Sequence, residues 1–187
     1  MKTILINIYG APGSGKSTLA TELYSWMKVQ GYSVELCREV IKKWAYKGYR
    51  PTVFEQIYIT NEQMLEETAL YGKVQYLITD SPIELGAFYC NYYHGSNALD
   101  KLHTQIQVEA KIKGMIDKSF HLYVPIKEEV YKEEGRYSSL QEAKVLDERI
   151  SSFLKFNDMR TLNCPLPNRK INAIEYLFNG QHPKTIV

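Results

Sequence analysis

Nine residues near the amino terminus carry the clearest chemistry in this sequence. The run Gly10-Ala11-Pro12-Gly13-Ser14-Gly15-Lys16-Ser17-Thr18 matches the pattern GxxxxGK[ST] in full. Glycines let such a loop turn its backbone N–H groups toward an anion at the N-terminus of a helix. The lysine adds a mobile positive charge for β- and γ-phosphates, and the serine hydroxyl is a ligand for Mg²⁺. The pattern predicts a nucleoside triphosphate site, with contacts from Gly10, Gly13, Ser14, Gly15, Lys16, Ser17 and Thr18.

Two carboxylates stand directly after predicted strands. Asp80 follows the apolar run 74–79 and is predicted, with Ser17, to hold the metal; capping of the next helix is the alternative, because Pro82 follows. Glu39 follows the second predicted strand, at the edge where open α/β sheets bind ligands. Phosphoryl transfer to a hydroxyl needs a base or an orienting group there, although a solvated glutamate is the alternative. The sequence leaves open whether Glu39 or Asp80 is the base.

The segment 38–50 combines positive charge with aromatic side chains. It contains five basic residues and one acidic residue, interleaved with one tryptophan and two tyrosines. Basic groups for phosphates and aromatic rings for base stacking are typical of nucleotide and single-stranded nucleic-acid sites. A solvated helix face with inward aromatic rings is the alternative. The predicted substrate contacts are Arg38, Trp44 and Arg50, together with Tyr89 from a second aromatic cluster.

A charged segment, 127–138, is predicted to form a lid. It is rich in lysine, glutamate and tyrosine and almost without aliphatic residues, which indicates exposure. Closure of such a segment brings cations over a transferring phosphate. Arg136 is the predicted catalytic cation, with Lys127 and Lys132 behind it; a plain surface loop is the alternative.

Alternating strand and helix patterns position these groups. Apolar runs predict strands at 4–9, 33–36, 74–79 and 120–124, and a further strand near Lys170 and Ile171. Helices are predicted between them, with capping boxes at Thr52 and Ser139, and a last helix is predicted over 174–178. This order indicates right-handed βαβ units. The predicted fold is a three-layer α/β P-loop NTPase fold, with a parallel sheet of about five strands flanked by helices.

Length and composition exclude several classes of protein. The 187 residues suit a single domain over 1–187, in which 163–187 have the weakest pattern. A net charge of +2 does not mark the whole chain as a nucleic-acid binder. The absence of a signal peptide or a long apolar run predicts a cytoplasmic protein without a membrane partner. Three cysteines without CxxC spacing indicate neither a disulfide framework nor a zinc site.

Three segments together resemble one group of small P-loop proteins. These are GAPGSGKST, the strand ending in ITDSP, and GRYSSLQEAKVLDERI, within a resemblance that covers about residues 1–156. The group is the AAA-type or nicotinamide-riboside-kinase-like ATP-binding proteins common in phages, which include phage 5-hydroxymethyluracil DNA kinases. Its layout is similar to that of nucleoside and nucleotide kinases. Deoxynucleoside kinases commonly carry an arginine after the third-strand acid, where this chain has Ser81.

The resemblance implies an ATP- and Mg²⁺-dependent kinase. Its expected acceptor is a nucleoside, a nucleotide or a modified base in DNA, and Glu39 corresponds by position to the acidic base of nucleoside kinases. The resemblance also implies Asp80 near the metal or the acceptor and Arg136 as the lid arginine. The alternative is an ATP-binding switch or ATPase module that acts through a protein partner. Whether two copies of the chain form a homodimer is left open.

Overall fold

The computed structural model describes residues 1–45, 50–132 and 138–178. The strands are β1 (Thr3–Tyr9), β2 (Val34–Cys37), β3 (Tyr76–Thr79), β4 (Ile116–Tyr123) and β5 (Thr161–Asn163). They form a five-stranded parallel sheet with the order β2-β3-β1-β4-β5, so β1 lies at its centre. The helices are α1 (Lys16–Val29), α2 (Lys42–Ala45), α3 (Val53–Thr68), α4 (Ile83–His94), α5 (Asp100–Ile112), α6 (Leu140–Phe156) and α7 (Arg169–Phe178), with one 3₁₀ turn at Glu128–Val130.

Helices cover both faces of the sheet, so β1 is buried almost throughout. On one face, Ile6 and Ile8 pack in a cluster with apolar residues of α1 and α7. On the other face, Leu5 packs near Ala110 of α5, and Tyr9 packs with α4 and α6. Burial on both faces is the reason that β1 is a nearly continuous apolar run. The predicted three-layer α/β fold is confirmed. In the described parts of the chain, no helix is long and apolar enough to cross a membrane.

The two predicted capping boxes are present. The Thr52 hydroxyl accepts from the Glu55 N–H, and the Glu55 carboxylate accepts from the Thr52 N–H at 2.8 Å. Ser139 and Glu142 make the same reciprocal pair at the start of α6. Each box satisfies N–H groups that a helix start leaves without partners. The starts of α3 and α6 are therefore fixed by local sequence.

The prediction of a strand near Lys170 and Ile171 is wrong, because both residues lie in α7. The buried residues of this helix are Arg169, Ala173, Ile174 and Leu177, which follow the helical repeat, whereas Ile171 is 57% exposed. The last strand is Thr161–Asn163, a three-residue edge strand whose end residues are exposed. A strand this short and polar gives almost no alternation to detect.

The apolar pattern of α3, which would turn Val53, Ile57, Met64, Leu65 and Thr68 inward, is correct only in part. Val53 and Ile57 pack half-buried against Ala87, Cys90 and Leu99. The residues of α3 that are buried are Gln56, Ile59, Thr60, Gln63 and Glu67. Leu65 is 65% exposed. The side of α3 that faces the protein interior is therefore mostly polar, and the reason lies in what it covers.

Candidate functional site

The loop between β1 and α1 forms a cradle for an anion. Gly10, Gly13 and Gly15 have φ values of +148°, +87° and +99°, which side-chain-bearing residues rarely adopt. A Cβ on Gly10 would also lie 2.3 Å from the Val124 carbonyl oxygen. The loop leads directly into α1, which begins at Lys16 and presents its free N–H groups and positive dipole end here.

Lys16 and Ser14 are the polar side chains buried in this loop. Lys16 is 6% exposed, and its ammonium donates to the Ala11 carbonyl oxygen at 3.1 Å. The Ser14 hydroxyl is buried and has no hydrogen-bond partner within the described chain. An orphaned hydroxyl beside a buried ammonium fits a loop built for phosphate oxygens. Ser17 is half-buried in the first turn of α1, and Thr18 is exposed.

Asp80 and Glu39 come together because β2 and β3 are neighbours in the sheet. Asp80 follows β3, is 4% exposed, and accepts a hydrogen bond from the Glu39 N–H at 2.7 Å. Its carboxylate therefore positions the backbone of Glu39. Asp80 does not cap α4, whose N-cap residue is Pro82. Ser17 and Asp80 offer the oxygen atoms that Mg²⁺ prefers.

Glu39 is one of the residues that line a pocket. Burial raises its pKa, the Lys16 charge opposes that rise, and the nearby Asp80 carboxylate adds to it. Ser81 contributes a hydrogen bond that lowers the pKa. A carboxyl group with a raised pKa, on a residue that lines a pocket and interacts electrostatically with an ammonium, is a candidate to accept a proton from a bound hydroxyl.

This pocket lies between α3, α4 and the segment after β2 and is partly open to solvent. Its described lining is Glu39, Val40, Ile41, Gln56, Ile59, Thr60, Gln63, Ser81, Pro82, Ile83, Gly86 and Tyr89. This lining contains one acidic side chain and neither lysine nor arginine.

Three polar residues on the buried face of α3, Gln56, Thr60 and Gln63, line the pocket. Because this face is polar, the spacing of apolar residues in the sequence does not indicate it. Gln63 is fully engaged by the protein: its Oε1 accepts from the Val40 N–H at 3.0 Å, and its Nε2 donates to Glu67 at 3.2 Å. Thr60 accepts from the Gln56 amide at 3.4 Å. A Cβ on Gly86 of α4 would lie 2.5 Å from the Thr60 side chain, so glycine permits the close approach of the two helices.

The predicted substrate residues lie in different places. Tyr89 lines the pocket and stacks on Tyr93 at 15°, with a centroid distance of 6.0 Å. Arg38 is exposed, and Trp44 contacts Tyr58 of α3. None of Arg38, Trp44 and Arg50 lines the pocket, and their substrate role stays a prediction.

Arg50 instead contacts two helices, α6 and α4. Its guanidinium pairs with Glu142 of α6 at 2.8 Å and lies 5.4 Å from the ring centroid of Tyr93 on α4. Arg136 and the rest of 133–137 lie outside the described residues, so the predicted lid is described only at 127–132 and 138. Lys127 and Lys132 are described and exposed.

Two residues that no sequence motif indicated lie beside the phosphate loop. Asp147 of α6 accepts a hydrogen bond from the Ala11 N–H at 3.3 Å. Arg169 of α7 pairs with Glu22 of α1 at 3.5 Å, and its guanidinium would lie 2.5 Å from a Cβ on Gly15. Both residues lie more than a hundred positions from the loop in sequence, so no local motif connects them to it.

A pair of buried carboxyl groups lies behind the pocket. Glu67 and Glu84 are each 2% exposed. Glu67 accepts from Gln63 and from the Thr79 hydroxyl at 3.3 Å, and Glu84 accepts from Gln107 of α5. Burial raises the pKa of Glu67 well above its usual range, and the charge of Glu84 raises it further. The folded protein therefore holds a proton on Glu67 at pH values where the unfolded chain has released it.

We expect this proton to make stability depend on pH. Because the folded state binds more protons than the unfolded state, the free energy of unfolding falls as pH rises above the unfolded pKa of about 4.3. Glu67→Gln removes this titration, so its melting temperature should fall less between pH 5 and pH 8. A difference of about 1 kcal/mol in the free energy of unfolding corresponds to a shift of roughly 2–4 °C in melting temperature at this chain length. Glu66→Gln, exposed on the same helix, should keep the wild-type slope; an equal slope in Glu67→Gln contradicts the assignment.

Comparisons with known proteins agree with this fold. Residues 5–167 match the model of a family described as AAA domain. No curated protein sequence matches the chain. The structure is similar to deoxyadenosine kinase from M. mycoides with the products dCMP and a flexible dCDP bound, at a TM-score of 0.58 and 18% identity, covering 95% of this chain and 100% of that one. The same enzyme with bound dATP gives a TM-score of 0.58 and 18% identity, with coverage of 94% and 98%.

At this sequence identity, the likeness to the solved structures concerns the fold. The family match covers most of the chain, from β1 through the residues after β5. This protein therefore belongs to the AAA domain family and has the P-loop kinase fold that deoxyadenosine kinase shares.

Proposed function

We propose that this protein is an ATP- and Mg²⁺-dependent phosphotransferase that acts on a hydroxyl of a nucleoside or a nucleoside-like molecule. The observation that carries the proposal is the position of Glu39, which lines the pocket, here called the acceptor pocket, and interacts electrostatically with Lys16. An acidic residue that lines a pocket and interacts with the lysine of a phosphate loop supports transfer of a phosphoryl group to whatever the pocket binds. Likeness to deoxyadenosine kinase supports a nucleoside as that occupant.

Each residue then has a distinct part in the transfer. The loop 10–17 binds the triphosphate through N–H groups other than that of Ala11, which Asp147 accepts, and Lys16 moves from the Ala11 carbonyl to the phosphate oxygens. Glu39 accepts the proton of the attacking hydroxyl, and Asp80 fixes the Glu39 backbone. Ser17 and Asp80 would hold Mg²⁺, which neutralises charge on the phosphates. Catalysis of this kind is positioning plus electrostatic stabilisation.

The charge of the pocket favours an uncharged acceptor. A phosphate monoester carries about −1.5 to −2 charge at pH 7, and the described lining offers an acid without a lysine or arginine. A nucleoside monophosphate deep in this pocket would leave that charge uncompensated. A neutral nucleoside instead matches the Gln56 amide, the Tyr89 ring and the aliphatic side chains around them.

A radiolabel transfer assay tests the proposal. Purified protein with γ-labelled ATP and Mg²⁺ is offered nucleosides, nucleoside monophosphates, nicotinamide riboside, and DNA with or without 5-hydroxymethyluracil. We expect label on a nucleoside, no label on the monophosphates, and loss of transfer in Lys16→Met. Label found only as free phosphate contradicts the proposal and supports an ATPase that acts through a partner. Label on a monophosphate contradicts the argument from pocket charge.

A modified base in single-stranded DNA is the second candidate acceptor, and exposed aromatic residues favour it. Tyr92 and Tyr93 are 39% and 37% exposed, and Tyr93 stacks on Tyr89 of the pocket wall. Exposed rings beside the Arg50 guanidinium would suit bases that flank a residue held in the pocket. Transfer to DNA should then weaken steeply as salt rises, because counterion release contributes to affinity. Salt-independent transfer to a polymer contradicts this version.

A further inference from the structure

The carboxylate of Asp147 joins three separate segments of the chain. Its Oδ1 accepts from the Ala11 N–H at 3.3 Å, and its Oδ2 accepts from the Ile126 N–H at 3.0 Å. Asp147 lies on α6, is 8% exposed, and has both oxygens engaged by backbone. Ala11 is the second residue of the phosphate loop, and Ile126 follows β4. One buried side chain thus connects the loop to the neighbouring strand end and to α6.

Ala11 in turn sets the position of Lys16. The Ala11 N–H is taken by Asp147, so it is directed away from a ligand in the loop. The Ala11 carbonyl oxygen accepts from the Lys16 ammonium at 3.1 Å and from the Ser14 N–H at 3.1 Å. Both backbone groups of Ala11 are therefore fixed, one by α6 and the other by the loop itself. A shift of Ala11 would move the acceptor that holds the lysine.

The identity of this side chain is informative. Two buried N–H donors need two acceptor atoms, and a carboxylate provides both in charge-assisted hydrogen bonds. A negative charge beside a loop that binds a triphosphate opposes binding by Coulomb repulsion. A side chain needed only to fill space would not carry that repulsion. The charge at Asp147 is consistent with a requirement for a fixed loop geometry.

We propose that Asp147 is a positioning residue for the phosphate donor. It holds Ala11 so that the loop keeps its phosphate-binding shape before ATP arrives and the Lys16 ammonium stays at the loop. This inference rests on the proposed function only in that the loop binds ATP. It does not depend on which acceptor is used.

Asp147→Asn tests this role because it keeps the size of the side chain and replaces one acceptor oxygen with a donor. One of the two N–H groups then loses its partner. We expect the affinity for Mg²⁺–ATP, measured by isothermal titration calorimetry without acceptor, to fall about tenfold, or about 1.4 kcal/mol. The KM for ATP should rise in parallel, and the KM for the acceptor should change less than about twofold. Glu148→Gln, exposed on the same helix, should bind ATP like the wild type.

The outcomes separate this inference from the proposed function. Wild-type ATP affinity in Asp147→Asn, with only a lower melting temperature, overturns the inference and makes Asp147 a structural residue. Equal rises in both KM values overturn it as well. If Asp147→Asn does not fold, Asp147→Glu, which keeps both acceptor oxygens, is tested in its place. The ATP affinity of Asp147→Glu should fall, and an unchanged affinity overturns the inference. If the wild type binds ATP but phosphorylates no acceptor, the proposed function fails and the role of Asp147 is still decided by the calorimetry. If the wild type does not bind ATP, both fail.

Discussion

Lys16→Met is expected to reduce phosphoryl transfer by about 100- to 1,000-fold, the usual cost of removing one strong electrostatic contact to a transition state. The methionine keeps the length of the side chain and removes the charge that meets the triphosphate. The Ala11 carbonyl also loses its ammonium partner. Steady-state kinetics with saturating acceptor measure the loss of transfer rate, and calorimetric titration with ATP measures the loss of ATP affinity.

A matched change elsewhere on α1 controls for charge. Lys28→Met removes an exposed lysine of the same helix, whose ion pair with Glu35 joins two side chains that are each 42% exposed. Such surface pairs contribute little to stability, so the activity of this variant should equal that of the wild type. Comparable losses in both variants, or full activity in Lys16→Met, contradict the assignment of the loop as the ATP site.

Glu39→Gln is expected to lower kcat by about 100- to 10,000-fold, the range for loss of a general base. Glutamine keeps the shape of the side chain and can accept from Ser81, but it does not take a proton at neutral pH. The KM for ATP should change little, because Glu39 lines the acceptor pocket and not the loop. Glu35→Gln, on β2 and partly exposed, is the control. If Asp80 is the base instead, Glu39→Gln retains most of its activity.

The pH profile provides an independent test of Glu39. A base works only when deprotonated, so kcat/KM should rise with pH through the pKa of Glu39. Burial raises that pKa despite the opposing charge of Lys16, so the midpoint should lie above the usual glutamate value of about 4.3. The rising limb should disappear in Glu39→Gln and remain in Glu35→Gln. A limb that persists without Glu39 assigns the titration to another group.

Features encoded by consecutive residues were the ones that the sequence predicted correctly. The phosphate loop is defined by glycines at fixed spacing between an apolar strand and a helix, and β1 is apolar because both of its faces are buried. The caps at Thr52 and Ser139 need only a partner three residues later. Glu39 and Asp80 were each predicted to follow a strand, and parallel strands end at one edge of the sheet.

Features made by distant residues were not predictable in this way. Asp147 contacts Ala11 across 136 positions, and Arg169 reaches Gly15 from a helix whose predicted structure was partly wrong. The apolar pattern did not locate the most deeply buried face of α3, because four of its five buried residues are polar: Gln56, Thr60, Gln63 and Glu67. Hydrophobic periodicity locates a buried helix face only when that face is itself apolar.

The inward polar face of α3 has a consequence for local unfolding. Burial of apolar area supplies most of the free energy that docks a helix, and α3 buries Ile59 while leaving Phe54 and Leu65 80% and 65% exposed. Its other contacts are the half-buried Val53 and Ile57 and the hydrogen bonds that Gln63 and Glu67 accept from Val40 and Thr79. In α1, by contrast, Leu19, Leu23 and Met27 are fully buried. Backbone amides of α3 should therefore exchange with solvent deuterium faster than those of α1. A ligand bound in the pocket would slow the exchange of α3 toward that of α1. The exchange rate along α3 therefore measures pocket occupancy without requiring turnover.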